Sequence, residues 1–250
     1  MSGYSYIESN ISTIAQKIHA VCSKLNRNPE DITLIAVSKT FPSDAVQSAF
    51  SAGHRHFGEN KVQELYSKHL ALNITGDINY QQIKWHLIGH LQSNKVKLIV
   101  PFIHLIHSLD SARLAAKIQT EAEKLGRTIN CLVQVNTSDE DQKSGVAPAG
   151  VLNLVREVSA MKNIHICGLM TIAKFIDDYN NESQREIVRD NFKELKGIYD
   201  ELGSLNMPGV EMQYLSMGMT SDFDIALEEG SNMLRIGTAI FGARNKSEIN

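Results

Sequence analysis

The stretch ITLIAVSKTFPSD, residues 32–44, joins a buried strand to a turn that separates two common classes of α/β fold. Its first six residues are almost entirely apolar, as expected for a parallel strand that is buried on both faces. The strand ends at Ser38 and Lys39, and Pro42-Ser43-Asp44 then opens a helix. The turn between them has no glycine, whereas a doubly wound nucleotide-binding sheet usually has a glycine-rich first turn. This stretch therefore counts against a doubly wound sheet.

The same alternation of apolar strands and amphipathic helices continues along the chain, after an N-terminal helix pattern over residues 7–25. Runs such as CLVQVN (131–136) and HICGLM (165–170) are apolar and rich in strand-forming residues, which is typical of parallel strands covered by helices. The predicted strands are residues 32–38, 54–58, 83–89, 104–108, 130–136, 164–171, 211–216 and 234–240. The predicted helices between them are residues 43–52, 61–70, 93–100, 111–125, 149–161, 182–202 and 221–229.

The number of these alternations predicts the architecture. Eight strands that alternate with helices in 250 residues are the number found in a (β/α)8 or TIM barrel. Ser111 is predicted to cap one helix, and Gly126 and Gly203 are predicted to end two others. No Pro/Gly/Ser-rich linker or low-complexity segment divides the chain. We therefore predict an α/β protein with a single TIM-barrel domain over residues 1–250 and one extra N-terminal helix.

Composition restricts the possible function classes. Hydrophobic residues make up 42% of the chain and charged residues 21%, with a formal net charge of -3. These values are typical of a globular protein, and without a polybasic block they argue against a nucleic-acid or membrane surface. No apolar stretch is long enough to span a bilayer, and the N-terminus lacks the pattern of a secretory signal.

The cysteines and histidines do not have the spacing of paired cysteines or of metal ligands. Cys22, Cys131 and Cys167 are an odd number of cysteines without a C-x-x-C pair, which favours buried thiols in a reducing, cytoplasmic location. The nine histidines lack metal-ligand spacing; only His54 and His56, two positions apart, have the spacing that shares one strand face. No metal site is predicted, because no cluster of Cys, Asp or Glu accompanies them.

The carboxyl ends of the predicted strands carry the polar residues that matter for function, since barrel active sites lie at that end. The first strand ends at Lys39, and the second runs into Glu59 and Asn60. The seventh and eighth strands lead into SMGMTSD (216–222) and RIGT (235–238), which combine glycines and hydroxyl groups beside Arg235. Such turns and helix N-termini bind phosphate, and barrels often place a phosphate site there.

A phosphate site facing a lysine suggests a phosphorylated carbonyl compound held as an imine. Pyridoxal 5'-phosphate (PLP) fits, because Arg235 can donate a hydrogen bond to the pyridine nitrogen. Such a ring is a weaker electron sink than one paired with aspartate. Lys39 must be deprotonated to attack an aldehyde, and burial at the barrel mouth favours that form.

Seven motifs occur in an order that resembles a known family. They are AVSKT (36–40), FGENKVQE (57–64), WHLIGHLQSNK (85–95), VNTSDEDQKSG (135–145), GLMTI (168–172), LSMGMTSDF (215–223) and MLRIGTAIFG (233–242). Together they resemble the YggS/PROSC family of PLP homeostasis proteins, which are fold-type III PLP proteins related to the barrel domain of alanine racemases. The resemblance runs from about residue 7 to residue 244.

The resemblance implies specific cofactor contacts. Lys39 is expected to form a Schiff base with PLP, Asn60 to contact the ring side, and Val37 to pack near the ring. Arg235 is expected to face the pyridine nitrogen. The expected phosphate-binding residues are Ser216, Gly218, Gly237 and Thr238. Thr220 stands where serine is expected in many relatives, which keeps the hydroxyl group. His86 and Met170 are candidates for lining the site or for ordinary packing, and the loop over residues 139–145 has no assigned role.

The resemblance also frames the function. Related racemases use a tyrosine from a C-terminal β-domain across a dimer, and a sequence ending at Asn250 leaves no space for that domain. We therefore expect a monomeric PLP carrier in intracellular vitamin B6 homeostasis, without established catalysis. Its expected partners are PLP, other B6 vitamers and candidate PLP-dependent apoenzymes, and neither nucleic acid nor membrane. The alternatives are a low-activity amino-acid racemase and a Schiff-base aldolase that uses Lys174.

Overall fold

Eight parallel strands close into a barrel in the order in which they occur along the chain, so the predicted (β/α)8 architecture is confirmed. The structure is a computed structural model, and it describes residues 4–74, 76, 78–138, 140 and 144–243. The strands are β1 (Thr33–Val37), β2 (His56–Glu59), β3 (Lys84–Leu87), β4 (Leu105–Leu109), β5 (Ile129–Gln134), β6 (Ile164–Met170), β7 (Val210–Ser216) and β8 (Met233–Ile236).

Helices follow the strands on the outside of the barrel. They are α1 (Tyr6–Lys24), α2 (Ser43–Ser51), α3 (Val62–Ile74), α4 (Val96–Ile99), α5 (Ala112–Glu123), α6 (Val151–Ser159), α7 (Glu182–Ser204), α8 (Phe223–Glu228) and α9 (Thr238–Phe241). Short 3-10 turns occur at Pro29–Asp31, Ile78–Gln82, Ser93–Lys95 and Pro148–Gly150. Among the described helices, none is long and apolar enough to cross a membrane.

The barrel closes because β1 pairs with strands on both of its sides. Ala36 lies opposite Phe57 of β2 and opposite Ile236 of β8, and Ile35 lies opposite Arg235. Successive side chains of β1 point to opposite faces. Ile35 therefore belongs to an apolar cluster inside the barrel, while Ala36 packs in the larger core between barrel and helices.

Both cores are almost free of solvent. The inner cluster consists of Ile35, Val37, Ile88, Leu105, Leu132, Cys167, Met170 and Met233. The outer core includes Phe57, Phe192 and Phe241, which are among the largest fully buried side chains. Burial on this scale stabilises the barrel by about 25 cal/mol for each Å² of apolar surface removed from water.

One predicted helix cap and one of two predicted helix ends are confirmed. The Ser111 hydroxyl accepts a hydrogen bond from the Leu114 N–H at 3.3 Å, as a capping residue should. Gly126 follows α5 with a φ of 59°, the left-handed conformation that ends many helices. The prediction for Gly203 is wrong, because α7 continues through it to Ser204, and Asn206 is the residue with positive φ beyond the helix.

The end of the eighth predicted strand also needs correction. The sequence pattern extends that strand to Ile240, but β8 ends at Ile236 and the chain turns into α9. The Gly237 carbonyl accepts hydrogen bonds from the N–H groups of Ile240 and Phe241, both at 2.9 Å. The apolar residues 239–241 cannot be assigned to strand or helix from periodicity, because so short an apolar run fits both.

Candidate functional site

Lys39 lies in the turn that directly follows β1, at the carboxyl end of the barrel. Val37 is the last residue of that strand and is buried inside the barrel, whereas Lys39 is half-buried. The intervening Ser38 is fully buried, and Thr40 adopts a positive φ of 71°. Lys39 therefore lies at the barrel mouth, in a short turn that follows the buried residues Val37 and Ser38.

The turn after β8 lies against the end of β1. A Cβ atom added at Gly237 would be 3.3 Å from the Val37 carbonyl oxygen and 3.5 Å from its Cβ. Only a residue without a side chain fits this approach easily. Gly237 is half-buried and Thr238, which begins α9, is exposed. The turn after β8 therefore packs against Val37, which precedes Lys39 by two residues in the chain.

The turn after β7 is joined to β8 by a backbone hydrogen bond. The Arg235 N–H donates to the Gly218 carbonyl at 3.0 Å. Gly218 has a φ of 96°, and a Cβ there would lie 2.6 Å from the Cβ of Ala226 in α8. Gly218 itself is buried, and its turn carries Thr220 to the exposed surface. The β7 and β8 turns, predicted to bind phosphate, therefore lie on adjacent strands.

Arg235 places a cation inside the barrel, 4% exposed. Its NH1 donates to the Ser216 hydroxyl and its NH2 to the Thr171 carbonyl, each at 2.7 Å. Burial lowers the pKa of Arg235 to about 10, with the Asp222 carboxylate acting in the opposite direction. The guanidinium therefore stays protonated at neutral pH, and two of its five donors fix its plane.

Ser216, another predicted phosphate-binding residue, is fully buried. Its hydroxyl group contacts Arg235 and also lies 3.1 Å from Nδ1 of His107. In this structure Ser216 acts as a support for the arginine. Met170 and His86 are likewise fully buried, Met170 in the inner apolar cluster and His86 between His56 and His107.

Asn60 lies on the rim of a cleft with a volume of 180 Å³ at the carboxyl ends of β2, β3, β5 and β6. Gly89, which also lines this cleft, packs on the Asn60 backbone so closely that a Cβ would overlap its carbonyl oxygen. Ser144 and Asn136 border the cleft as well, next to the predicted 139–145 loop. Residues 139 and 141–143 of that loop lie outside the described residues.

A buried polar network beneath Lys39 was not predicted from the sequence. Glu59 Oε1 accepts hydrogen bonds from Ser38 Oγ and Lys68 Nζ, each at 2.6 Å. Lys68 also donates to the Ser38 carbonyl at 2.7 Å and to Glu64 Oε1 at 2.8 Å. Burial raises the pKa of Glu59 to about 7, against the opposing effect of Lys68. The only local signal was the i, i+4 spacing of Glu64 and Lys68.

The alternative reactive amine, Lys174, lies in a different setting. It is exposed in the loop beyond β6, four residues after Met170 at the end of that strand. Its backbone N–H donates to Asn191 Oδ1 of α7 at 2.9 Å. An exposed loop is the ordinary place for a solvated lysine.

Two histidines expected to share a strand face do not. His54 lies before β2, and its ring packs edge-on against Phe57 of the outer core with centroids 5.3 Å apart. The His56 ring instead contacts His86, with centroids 5.2 Å apart. The three cysteines are free and buried, as predicted.

Comparison with known proteins identifies the family. Residues 9–245 match the family model "Alanine racemase, N-terminal domain". The pyridoxal phosphate homeostasis protein of Haemophilus influenzae is 39% identical over 241 residues, covering 96% of this chain and 97% of that protein. The protein of the same name from Escherichia coli K12 is 38% identical over 248 residues, covering 97% and 98%.

Solved structures agree with the sequence relatives. PipY of Synechococcus elongatus with PLP bound has a TM-score of 0.77 and 33% identity, covering 94% of this chain and all (100%) of that one. An unknown protein from Bifidobacterium adolescentis has a TM-score of 0.88 and 32% identity, covering 96% and 97%. The alanine racemase of Clostridium difficile shares the fold, with a TM-score of 0.66 at 14% identity, and this chain covers 58% of it. This chain therefore belongs to the alanine racemase N-terminal domain family and, within it, to the pyridoxal phosphate homeostasis proteins.

Proposed function

We propose that this chain binds PLP through a Schiff base to Lys39 and serves in intracellular PLP homeostasis. The observation that carries the proposal is the contact between the ends of β1 and β8. Gly237 approaches Val37, two residues before Lys39, while Arg235 lies on the strand beside β1. A reactive amine, a turn of the kind that binds phosphate and a buried cation thus lie at adjacent strand ends.

The residues present fit the chemical parts of PLP. The Gly237-Thr238 turn at the start of α9 offers backbone N–H groups and a hydroxyl to a phosphate. The protonated Arg235 guanidinium offers N–H donors to a pyridine nitrogen, which accepts hydrogen bonds. Asn60, on the rim of the cleft, would offer a polar contact to the ring. PLP, when bound, supplies an aldehyde and an electron-withdrawing ring.

The chain's own residues have separate tasks in this proposal. Lys39 would supply the amine for a Schiff base with the PLP aldehyde, with one water released. Val37 supplies an apolar wall near the ring. Arg235 orients the ring from the interior, and Ser216 holds Arg235 in place. Gly218 shapes the turn after β7, in which Thr220 is exposed and would offer its hydroxyl to the phosphate.

A homeostasis role, rather than catalysis, is supported by the names of relatives at 36–39% identity that align over nearly their full length. In this role the chain accepts PLP and other B6 vitamers and transfers PLP to PLP-dependent apoenzymes. The proposal includes a monomeric protein in the cytoplasm. Light scattering of the purified chain tests the oligomeric state.

The Schiff-base assignment is tested by trapping. The purified chain is incubated with PLP, freed of excess PLP, scanned for absorbance, reduced with borohydride and digested for peptide mapping. We expect one adduct on the peptide that contains Lys39. Lys39→Ala should lose the adduct, and the matched control Lys174→Ala should keep it. An adduct on Lys174, or no adduct, contradicts the proposal.

The homeostasis role is tested separately. The PLP-loaded chain is mixed with a PLP-dependent apoenzyme, and recovery of that enzyme's activity is compared with recovery in an equal concentration of free PLP. We expect recovery from the loaded chain and none from loaded chain pre-treated with borohydride. Robust racemisation of alanine, measured by circular dichroism, would instead support the racemase alternative.

A further inference from the structure

Three histidines meet at the amino end of the barrel, opposite to Lys39. His56 is the first residue of β2, His86 lies within β3, and His104 directly precedes β4. Each offers one ring nitrogen, and these three nitrogens all lie within 4.8 Å of one another. His86 is fully buried, whereas His56 and His104 are half-buried. The cluster is therefore built from three strands and remains reachable from solvent.

The spacing is close to that of a tetrahedral metal site. Nδ1 of His56 lies 3.0 Å from Nε2 of His86. The His104 ring centroid lies 5.3 Å from that of His86 and 5.9 Å from that of His56. Two nitrogens bound tetrahedrally to one zinc ion are about 3.3 Å apart, given zinc–nitrogen bonds of roughly 2.0–2.1 Å. The His56 and His86 nitrogens are already close to this spacing.

Only neutral imidazole binds metal. Lys84 lies opposite His56 in the β2–β3 register and places a positive charge beside the cluster. The same charge repels a bound cation, so Lys84 is the natural position at which to test the site.

A second layer of contacts orients the central ligand. Nδ1 of His86 lies 3.0 Å from Nε2 of His107, whose Nδ1 lies 3.1 Å from the Ser216 hydroxyl. Metal-binding histidines usually have a hydrogen-bond partner at the ring nitrogen that does not touch the metal. His107 provides that partner and leaves Nε2 of His86 directed at the cluster.

We propose that His56, His86 and His104 form a binding site for a divalent transition-metal ion of the zinc class, with solvent as the fourth ligand. The imidazoles match the ligand preference of zinc, and the half-buried positions of His56 and His104 give access. The site lies at the opposite end of the barrel from Lys39, and His107 and Ser216 connect it to Arg235 of the proposed cofactor site.

The rival explanation is that the histidines form only a hydrogen-bonded chain through the barrel. Neutral imidazoles linked nitrogen to nitrogen satisfy one another without a metal, since each has one donor and one acceptor. The two explanations differ in what a metal titration shows, because a chain of hydrogen bonds gives no stoichiometric binding.

The experiment is a calorimetric titration of the full, tag-free chain, without PLP, with Zn²⁺. The visible spectrum with Co²⁺ then reports on the ligand geometry. We expect one ion per chain and a tetrahedral Co²⁺ spectrum. His104→Ala should weaken Zn²⁺ binding by roughly tenfold or more. Lys84→Gln should strengthen it, because a neighbouring positive charge is removed. His19→Asn, at an exposed helix position, is the matched control and should bind Zn²⁺ as the wild type does.

Circular dichroism of each variant checks that it is folded; if His104→Ala is not, His56→Asn replaces it. Unchanged Zn²⁺ affinity in the folded cluster variant overturns the proposal. So does absence of binding to the wild type at micromolar Zn²⁺, or loss of binding in His19→Asn. A Co²⁺ spectrum typical of six-coordinate ions has the same consequence, since the proposal requires a tetrahedral site.

Discussion

Lys68 Nζ lies 2.6 Å from Glu59 Oε1, in an ion pair whose side chains are 6% and 0% exposed. The same lysine donates to the Ser38 carbonyl, directly before Lys39, and Glu59 directly precedes Asn60. The pair therefore ties the end of β1 to the end of β2. It holds in place the two turns that carry the proposed Schiff-base lysine and the proposed ring contact.

Replacing Lys68 with methionine should destabilise the protein by roughly 3 kcal/mol, because removing one partner of a buried pair leaves the other uncompensated. The free energy of unfolding in urea measures this change. Lys117→Met is the matched control, since Lys117 pairs with Glu121 at 2.5 Å and its side chain is 37% exposed. That change should cost no more than about 1 kcal/mol. Equal losses in the two variants would show that burial does not decide the effect.

Glu59 should make stability fall as the pH rises. Burial raises its pKa in the folded protein to about 7 from an ordinary 4.5. The folded state therefore keeps a proton that the unfolded state has already released. The contribution of Glu59 to the free energy of unfolding is complete below pH 4.5. It declines as the pH rises and is lost above about 7. The total loss is on the order of 3 kcal/mol.

The comparison that isolates this effect is urea unfolding of wild type and Glu59→Gln between acidic and neutral pH. Gln cannot titrate, so its curve should lack the part of the decline that Glu59 causes. Other titrating groups are common to both proteins and cancel in the difference. Parallel curves would mean that Glu59 is ionised throughout this range in the folded protein.

Arg235 should determine how tightly PLP is held. Arg235→Met removes all donors to the pyridine nitrogen, and we expect a loss of PLP affinity of at least about tenfold, since hydrogen bonds to charged groups contribute roughly 1.5–3 kcal/mol. Ser216→Ala should have a smaller effect in the same direction, because it removes one support of the guanidinium. Absorbance titration with PLP measures both. Arg156→Lys, on the exposed face of α6, should leave affinity unchanged.

Gly218 should not tolerate a side chain. Its φ of 96° is strained for any other residue, and an alanine Cβ would lie 2.6 Å from Ala226 Cβ. We expect Gly218→Ala to destabilise the protein by about 1–3 kcal/mol. In Gly197→Ala, nothing lies within 4 Å of the added Cβ, and the site is within α7. That control should stabilise the helix by up to about 1 kcal/mol, and thermal unfolding of both variants distinguishes these directions.

The thiols should be unreactive in the folded protein. Cys22, Cys131 and Cys167 are buried, and burial raises the pKa of each thiol, that of Cys167 to about 12. Thiolate is the reactive form, so a thiol-specific chromogenic reagent should react slowly with native protein and fully after denaturation. Rapid reaction of the native chain would indicate local opening of β5, β6 or α1.

The sequence predicts most of the fold because each strand and helix carries its own local pattern. All eight strands lie within a few residues of their predicted positions, since apolar runs buried on both faces have few alternatives. The errors occur where local signals conflict. Residues 239–241 fit strand and helix equally by hydrophobicity, and the turn at Gly237 starts helix α9. Gly203 has the composition of a helix end but remains inside α7.

The candidate site, like the fold, was predicted only in part from the sequence. Lys39, Asn60 and Arg235 were predicted because barrel chemistry lies at the strand ends, and their places follow from the strand assignments. The burial of the Ser216 side chain was not predicted. The alternation of side chains along β7 indicates which of them point into the barrel, but it does not show which of these are covered by residues from other strands. Lys68 was missed since an exposed helix face is the ordinary place for lysine.

The sequence alone determined the order of strands and helices, because local hydrophobic periodicity and turn residues act within a few positions of one another. Only the tertiary structure decided which distant residues touch. Closing the barrel puts Ile35 of β1 opposite Arg235 of β8. The β2–β3–β4 register gathers His56, His86 and His104. Such contacts depend on strand pairing and side-chain direction across the whole barrel, and no local pattern encodes them.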